Sequence, residues 1–150
     1  MSDITLRSSA FGDHDTIPAA YSHQAGDTSP PLEWSGVPDG TAELVLTCED
    51  PDAPVGTFVH WLLAGIPAQT SGLGPGERPE GATEGTNDYG FQGYGGPQPP
   101  VGDPPHRYFF HVYACQHPLD LQSGYSSDQL RSQLRDNAVA SGTLVGHFAR

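Results

Sequence analysis

At 150 residues the chain is long enough to bury a core without disulfide staples and short enough to form a single domain, residues 1–150. Its 18 acidic residues face six arginines and no lysine, a net charge of −12 that excludes a basic footprint for nucleic acid and an electrostatic hold on anionic membranes. No basic patch followed by an apolar run opens the chain, and no apolar stretch reaches membrane-spanning length, so a cytoplasmic protein without stable membrane association is expected.

Ile4 to Leu6 reads as a short first strand. The stretch from Phe11 to Gly36 is rich in turns, and Pro30-Pro31 forbids helix there, with Leu32 and Trp34 as apolar anchors. Val37-Pro38-Asp39-Gly40 turns the chain into two strand-length apolar runs, one beginning at Leu44 and the other spanning Phe58 to Ile66. Between them lies an acidic corner, Asp50-Pro51-Asp52-Ala53-Pro54, whose prolines hold it extended, so that both carboxylates can point to one side. His60 stands alone in its apolar run and needs a polar partner, with the acidic corner nearest. Ordinary turn chemistry for the corner and a satisfied core role for His60 are the alternative reading.

The segment 68–85 is poor in apolar residues and reads as an exposed, mobile loop. Residues 87–100 alternate aromatics with glycine and end in prolines, a loop whose amides can approach a ligand. In the strand from His106 to Ala114, alternation puts His106, Tyr108, Phe110 and Val112 on one face, which sets two polar tips side by side at its start. One helix is predicted: Ser126 and Gln129 fit a capping box, Leu130, Leu134 and Ala138 recur at one-turn spacing, and Gly142 ends it. Leu144 to Phe148 then returns as a short strand. Cys48 and Cys115 lack metal-ligand spacing and read as buried free thiols, with a disulfide between neighbouring strands as the alternative. The sum is a mostly-β sandwich with one late helix.

The order Asp50-Pro51-Asp52-Ala53-Pro54, His60-Trp61, Gly95-Gly96-Pro97-Gln98-Pro99-Pro100 and His106-Arg107-Tyr108 resembles the phosphatidylethanolamine-binding protein family, in its bacterial and archaeal Raf kinase inhibitor-like branch. Phe11-Gly12-Asp13, Ile17-Pro18, Gly85-Thr86-Asn87-Asp88 and Gly146-x-Phe148-x-Arg150 extend the likeness along the whole chain. The resemblance implies two antiparallel sheets in Greek-key order and a small pocket for phosphate, phosphoethanolamine or a carboxylate. Carried over residue by residue, the pocket is Asp50, Asp52, Pro54, His60, Gly96, Pro99, Pro100, His106 and Tyr108. It also implies a homodimer and a regulator whose partner is a kinase or a protease, with no cofactor. Two departures stand out: Gln98, where bacterial relatives often have cysteine, and Asn137, where many relatives have histidine.

Physically, an anion site built on aspartates requires each carboxylate to orient a histidine, whose other nitrogen then donates into the pocket; the Tyr108 hydroxyl and the Gly96 amide would add donors. The same set, with His60, His106 and Asp50 as catalytic candidates, suits an acid/base isomerase, dehydratase or cyclase acting on a small metabolite. Two histidines and an aspartate also match an iron triad, but the resemblance reads them as anion donors, and no metal is expected. His14, His23, His111, His117 and His147 read as surface or packing residues.

Overall fold

The computed structural model describes residues 2–150. In chain order its strands are β1 (Ser2–Asp3), β2 (Thr5–Arg7), β3 (Asp15–Thr16), β4 (Leu32–Ser35), β5 (Glu43–Asp50), β6 (Phe58–Pro67), β7 (Gly72–Leu73), β8 (Thr83–Glu84), β9 (His106–Cys115) and β10 (Ala138–Phe148), with helix α1 (Ser127–Leu134) before the last.

A seven-stranded sheet runs β1-β10-β9-β5-β6-β8, with β3 also on β10, and faces a three-stranded sheet, β2-β4-β7. The long strands pair antiparallel, while the two-residue strands β1 and β3 join β10 in parallel. Alternation along β9 builds the sandwich: Tyr108, Phe110 and Val112 enter the core between the sheets with Leu6, Leu32 and Trp34. On the opposite face of the large sheet, Val45, Val59 and Leu62 pack against Leu130 of α1. Cys48 and Cys115 are both buried free thiols.

The register of β5 on β6 steps from Cys48↔Trp61 to Glu49↔Val59, one residue against two, so His60 is the extra residue of a β-bulge. The bulge lets consecutive residues share a side: Trp61 joins the inter-sheet core, and His60 turns toward Tyr108.

The late helix is shorter than the periodicity of Leu130, Leu134 and Ala138 predicts. Its capping box forms, with Gln129 N–H donating to Ser126 Oγ and Ser126 N–H donating to Gln129 Oε1. It stops at Leu134, however, because Arg135 is extended and Asp136 left-handed at φ 60°. The chain re-enters the sheet at Ala138 and pairs with β9 over the whole of β10, and this long-range ladder overrides the local helical period. Gly142 is therefore a strand residue. Its α-carbon lies against the Ile4 carbonyl, where a β-carbon would collide.

Two further expectations change. Ile4 is the hinge between β1 and β2, its N–H donating to the Ser141 carbonyl. The 68–85 segment carries β7 and β8, with Leu73 of β7 buried in the core between the sheets and Glu84 accepting from the Trp61 indole.

Candidate functional site

The end of β5, the start of β6 and the start of β9 converge on a hollow of about 250 Å³. Of the residues expected there, Asp50, Pro54, His60, Pro99, Pro100, His106 and Tyr108 line it, as does Gln98; Asp52 and Gly96 do not. Phe58, Tyr89, Ala53 and Val55 complete the wall. A larger depression of about 650 Å³ beside α1 is a groove lined by amides, hydroxyls and two carboxylates and holds no histidine, whereas two histidines with shifted pKa values, His60 and His106, meet at the smaller one.

His106 is held from both sides. Its Nδ1 donates to Asp50 Oδ2 at 2.8 Å and its Nε2 donates to Asp103 Oδ2 at 3.1 Å. Both partners are carboxyl groups, an arrangement that favours a proton on each ring nitrogen and hence the imidazolium form. Burial opposes that charge, but the two carboxylates outweigh it and raise the pKa above its ordinary value. Asp50 is itself pinned, since its Oδ1 accepts from the Asp52 N–H at 2.8 Å in a local Asx turn.

His60 is set the opposite way. Its Nδ1 donates to the Gly95 carbonyl at 2.6 Å, and the Gly95 N–H donates back to the His60 carbonyl at 2.9 Å. The orienting partner is thus a backbone carbonyl and not the expected carboxylate, because the bulge turns the ring toward the glycine-rich loop. Burial lowers the His60 pKa, only partly offset by Gly95 and Asp50, and keeps the ring neutral. With Nδ1 protonated, Nε2 is an acceptor. Tyr108 stands edge-on to it, with ring centroids 5.2 Å apart. The Tyr108 hydroxyl is buried and has no hydrogen-bond partner among the described residues. Burial, reinforced by Asp50, raises its pKa, so it stays an O–H donor.

The polar groups of the two absent residues serve elsewhere. Asp52 makes a bidentate pair with Arg107, at 2.9 Å to Nε and 2.8 Å to Nη2, and also accepts the Arg107 N–H. Its hydrogen bonds to that guanidinium hold its carboxyl at about 2. The Gly96 N–H donates to Asp27 Oδ1 at 2.9 Å, so it is not a free donor. Asp27 also accepts from His23 Nδ1 at 2.7 Å, and the His23 ring stacks on Tyr89 at 4.3 Å. The Tyr89 hydroxyl donates to the Gly96 carbonyl at 2.6 Å. This column fixes Tyr89 as a wall of the hollow, so His23 has a supporting role that its lone position in sequence does not reveal. Asn137 lies far from the site and closes the 117 loop, accepting from the His117 N–H and donating to the His117 carbonyl.

Among the described residues, no group of three or more His, Cys, Asp or Glu side chains is arranged to hold a metal ion. What converges instead is a histidine held between two carboxyl groups, a second histidine held by a backbone carbonyl and a phenol without a hydrogen-bond partner among the described residues, walled by prolines and aromatic rings.

A two-sheet sandwich with this hollow at the ends of the central strands of its large sheet defines a class, and comparison with known proteins gives the class its name. The profile of the phosphatidylethanolamine-binding protein family matches residues 7–149, and the chain belongs to that family. A UPF0098 protein of Methanothermobacter thermautotrophicus is 38% identical over 98% of this chain and 99% of its own. The crystal structure of Escherichia coli YbcL matches with a TM-score of 0.92, at 32% identity over 98% of both chains. A Mycobacterium tuberculosis relative, 37% identical over 97% of this chain and 72% of its own, is named as a lipoprotein, LppC. Kinship alone therefore does not place this chain in the cytoplasm. Among the described residues, no helix is long and apolar enough to cross a membrane.

Proposed function

We propose that the chain binds a small oxyacid, a phosphate, phosphate monoester or carboxylic acid, in the hollow bounded by Asp50, His60, His106 and Tyr108. The observation that carries this reading is the Tyr108 hydroxyl, buried without a hydrogen-bond partner among the described residues, on a ring that stands edge-on to that of His60. A phenol donor and an imidazole acceptor on two residues that line one hollow favour a ligand group that accepts one hydrogen bond and donates another. A hydrogen phosphate or an undissociated carboxyl does both: one oxygen takes the Tyr108 proton, and its own O–H goes to His60 Nε2. The negative charge of the whole chain opposes the ligand weakly, because screening acts over about 8 Å at physiological salt. Affinity for inorganic phosphate should be modest, on the order of micromolar to millimolar, given the few atoms in contact.

Titration of the labelled protein with inorganic phosphate, read by NMR, tests the reading. The expected result is saturable shifts at His60, Gly95 and Tyr108 that vanish in Tyr108→Phe. Shifts unchanged in that variant would contradict it.

A second reading is supported by the opposed environments of the two histidines. One is raised toward imidazolium and the other held neutral, facing the same hollow, which is the disposition of a general acid and a general base. Turnover of a small metabolite that is lost in both His60→Gln and His106→Gln would support catalysis. Retention of turnover in either variant would assign it elsewhere.

A further inference from the structure

Resting on the acid-binding reading, we infer that Asp103 is a displaceable internal competitor for His106, and that it makes the site select phosphate over carboxylate. Two carboxylates hold the His106 ring, but they are not equivalent. The Asp50 side chain is 4% exposed and belongs to the end of β5, whereas that of Asp103 is 39% exposed and belongs to no strand or helix. A partly exposed ion pair is weak and a buried one costly to break, so the Asp103 contact is the one that gives way.

The local backbone suits that exchange. Pro100 to Asp103 forms a β-turn, with the Asp103 N–H donating to the Pro100 carbonyl at 3.2 Å and Gly102 left-handed at φ 90° in the third position, as a type II turn requires. Arg150 fastens the base of the turn: its Nε donates to the Pro99 carbonyl at 2.7 Å, and its carbonyl accepts the Gly102 N–H at 3.2 Å. Pro104 and Pro105 then carry the chain, extended, into His106. With both sides of the turn held, rotation of the Asp103 side chain alone releases His106 Nε2.

An incoming anion must offer that nitrogen more than Asp103 already does. A monocarboxylate is chemically the same ligand and gains nothing by the exchange. A phosphate carries more charge and more acceptor oxygens, and gains by it. Asp103 also repels any anion that approaches while it is in place.

The test is titration of the wild type, Asp103→Ala and Asp103→Asn with inorganic phosphate and with acetate, following the ring nitrogens of His60 and His106 by NMR. Asn keeps the shape of the side chain without its charge, which guards against a folding defect in the alanine variant. In the wild type, phosphate is expected to move His106 Nε2 as Asp103 departs, with acetate binding far more weakly. In both variants the acetate affinity should rise about fivefold or more, and more than that of phosphate. An unchanged ratio of the two affinities overturns the competitor role, as does phosphate binding that shifts His60 while His106 Nε2 stays where it was. Either result leaves the acid-binding reading standing. Failure of both anions to bind all three proteins overturns the two together.

Discussion

The imidazole of His60 stands edge-on to the phenol of Tyr108, with centroids 5.2 Å apart and planes at 76°, and the fold uses neither His60 Nε2 nor the Tyr108 hydroxyl among the described residues. Both rings are almost fully buried, at 3% and 1% exposure. Burying a hydroxyl without a partner costs roughly 1–3 kcal/mol, so this pair works against stability while providing a place for a ligand. Tyr108→Phe should therefore raise the unfolding free energy by about 1 kcal/mol in denaturant titration while abolishing phosphate binding. A loss of stability in that variant would show that the hydroxyl serves the fold.

The two histidines give opposite pH dependences. The folded-state pKa of His106 lies above its ordinary 6.5, so its contribution to stability is complete below 6.5 and is lost as pH rises through the folded value. The folded-state pKa of His60 lies below 6.5, so the folded state resists its protonation and stability falls as pH drops below 6.5 toward the folded value. NMR titration of the ring protons should find His106 with its midpoint above 6.5 and His60 below it. His106→Gln should remove the decline in stability on the alkaline side and leave that on the acid side.

Asp52 is expected to matter for stability and little for binding. Its carboxylate is engaged outside the hollow by Arg107, and its pKa is lowered from 3.8 to about 2. The pair's contribution is present above 3.8 and lost as pH falls toward 2. Asp52→Asn should flatten that acid limb of the stability profile and leave the phosphate affinity nearly unchanged. A large loss of affinity would place Asp52 in the site after all.

Gly96 is needed for close approach, since a β-carbon there would overlap the backbone of Tyr21, Ser22 and His23. Gly96→Ala should cost about 1–3 kcal/mol, as other over-packed sites do, and loosen the Asp27–His23–Tyr89 column behind the pocket. Thermal denaturation and the ring-proton shifts of Tyr89 would show both effects.

Local signals carry the sheets and half of the site. The alternation in β9 correctly assigns Tyr108 and Phe110 to the core face, and the Asp-Pro-Asp corner does bring Asp50 to His106 across 56 positions. What escapes is whatever depends on pairing at long range. The ladder with β9 ends the helix at Leu134 and claims Gly142 for a strand, against the spacing of Leu130, Leu134 and Ala138. The bulge that turns His60 to Gly95 exists only in the register of β5 against β6. Asp27 reaches Gly96 from 69 positions away, a contact with no trace in either segment. Asp103 does carry a local signal: an acidic residue three positions before a histidine, at the end of a Pro-x-Gly turn, can fold back onto the ring.

Binding of an oxyacid in the hollow requires His60 to present an acceptor nitrogen to a ligand that Tyr108 also grips. The most direct measurement is a long-range proton–nitrogen correlation spectrum of the His60 ring, recorded with and without saturating inorganic phosphate. The expected result is a neutral ring protonated at Nδ1 in the free protein, with an Nε2 resonance that moves on phosphate addition in the wild type and not in Tyr108→Phe. A ring protonated at Nε2 in the free protein, or an Nε2 signal indifferent to phosphate, would contradict it.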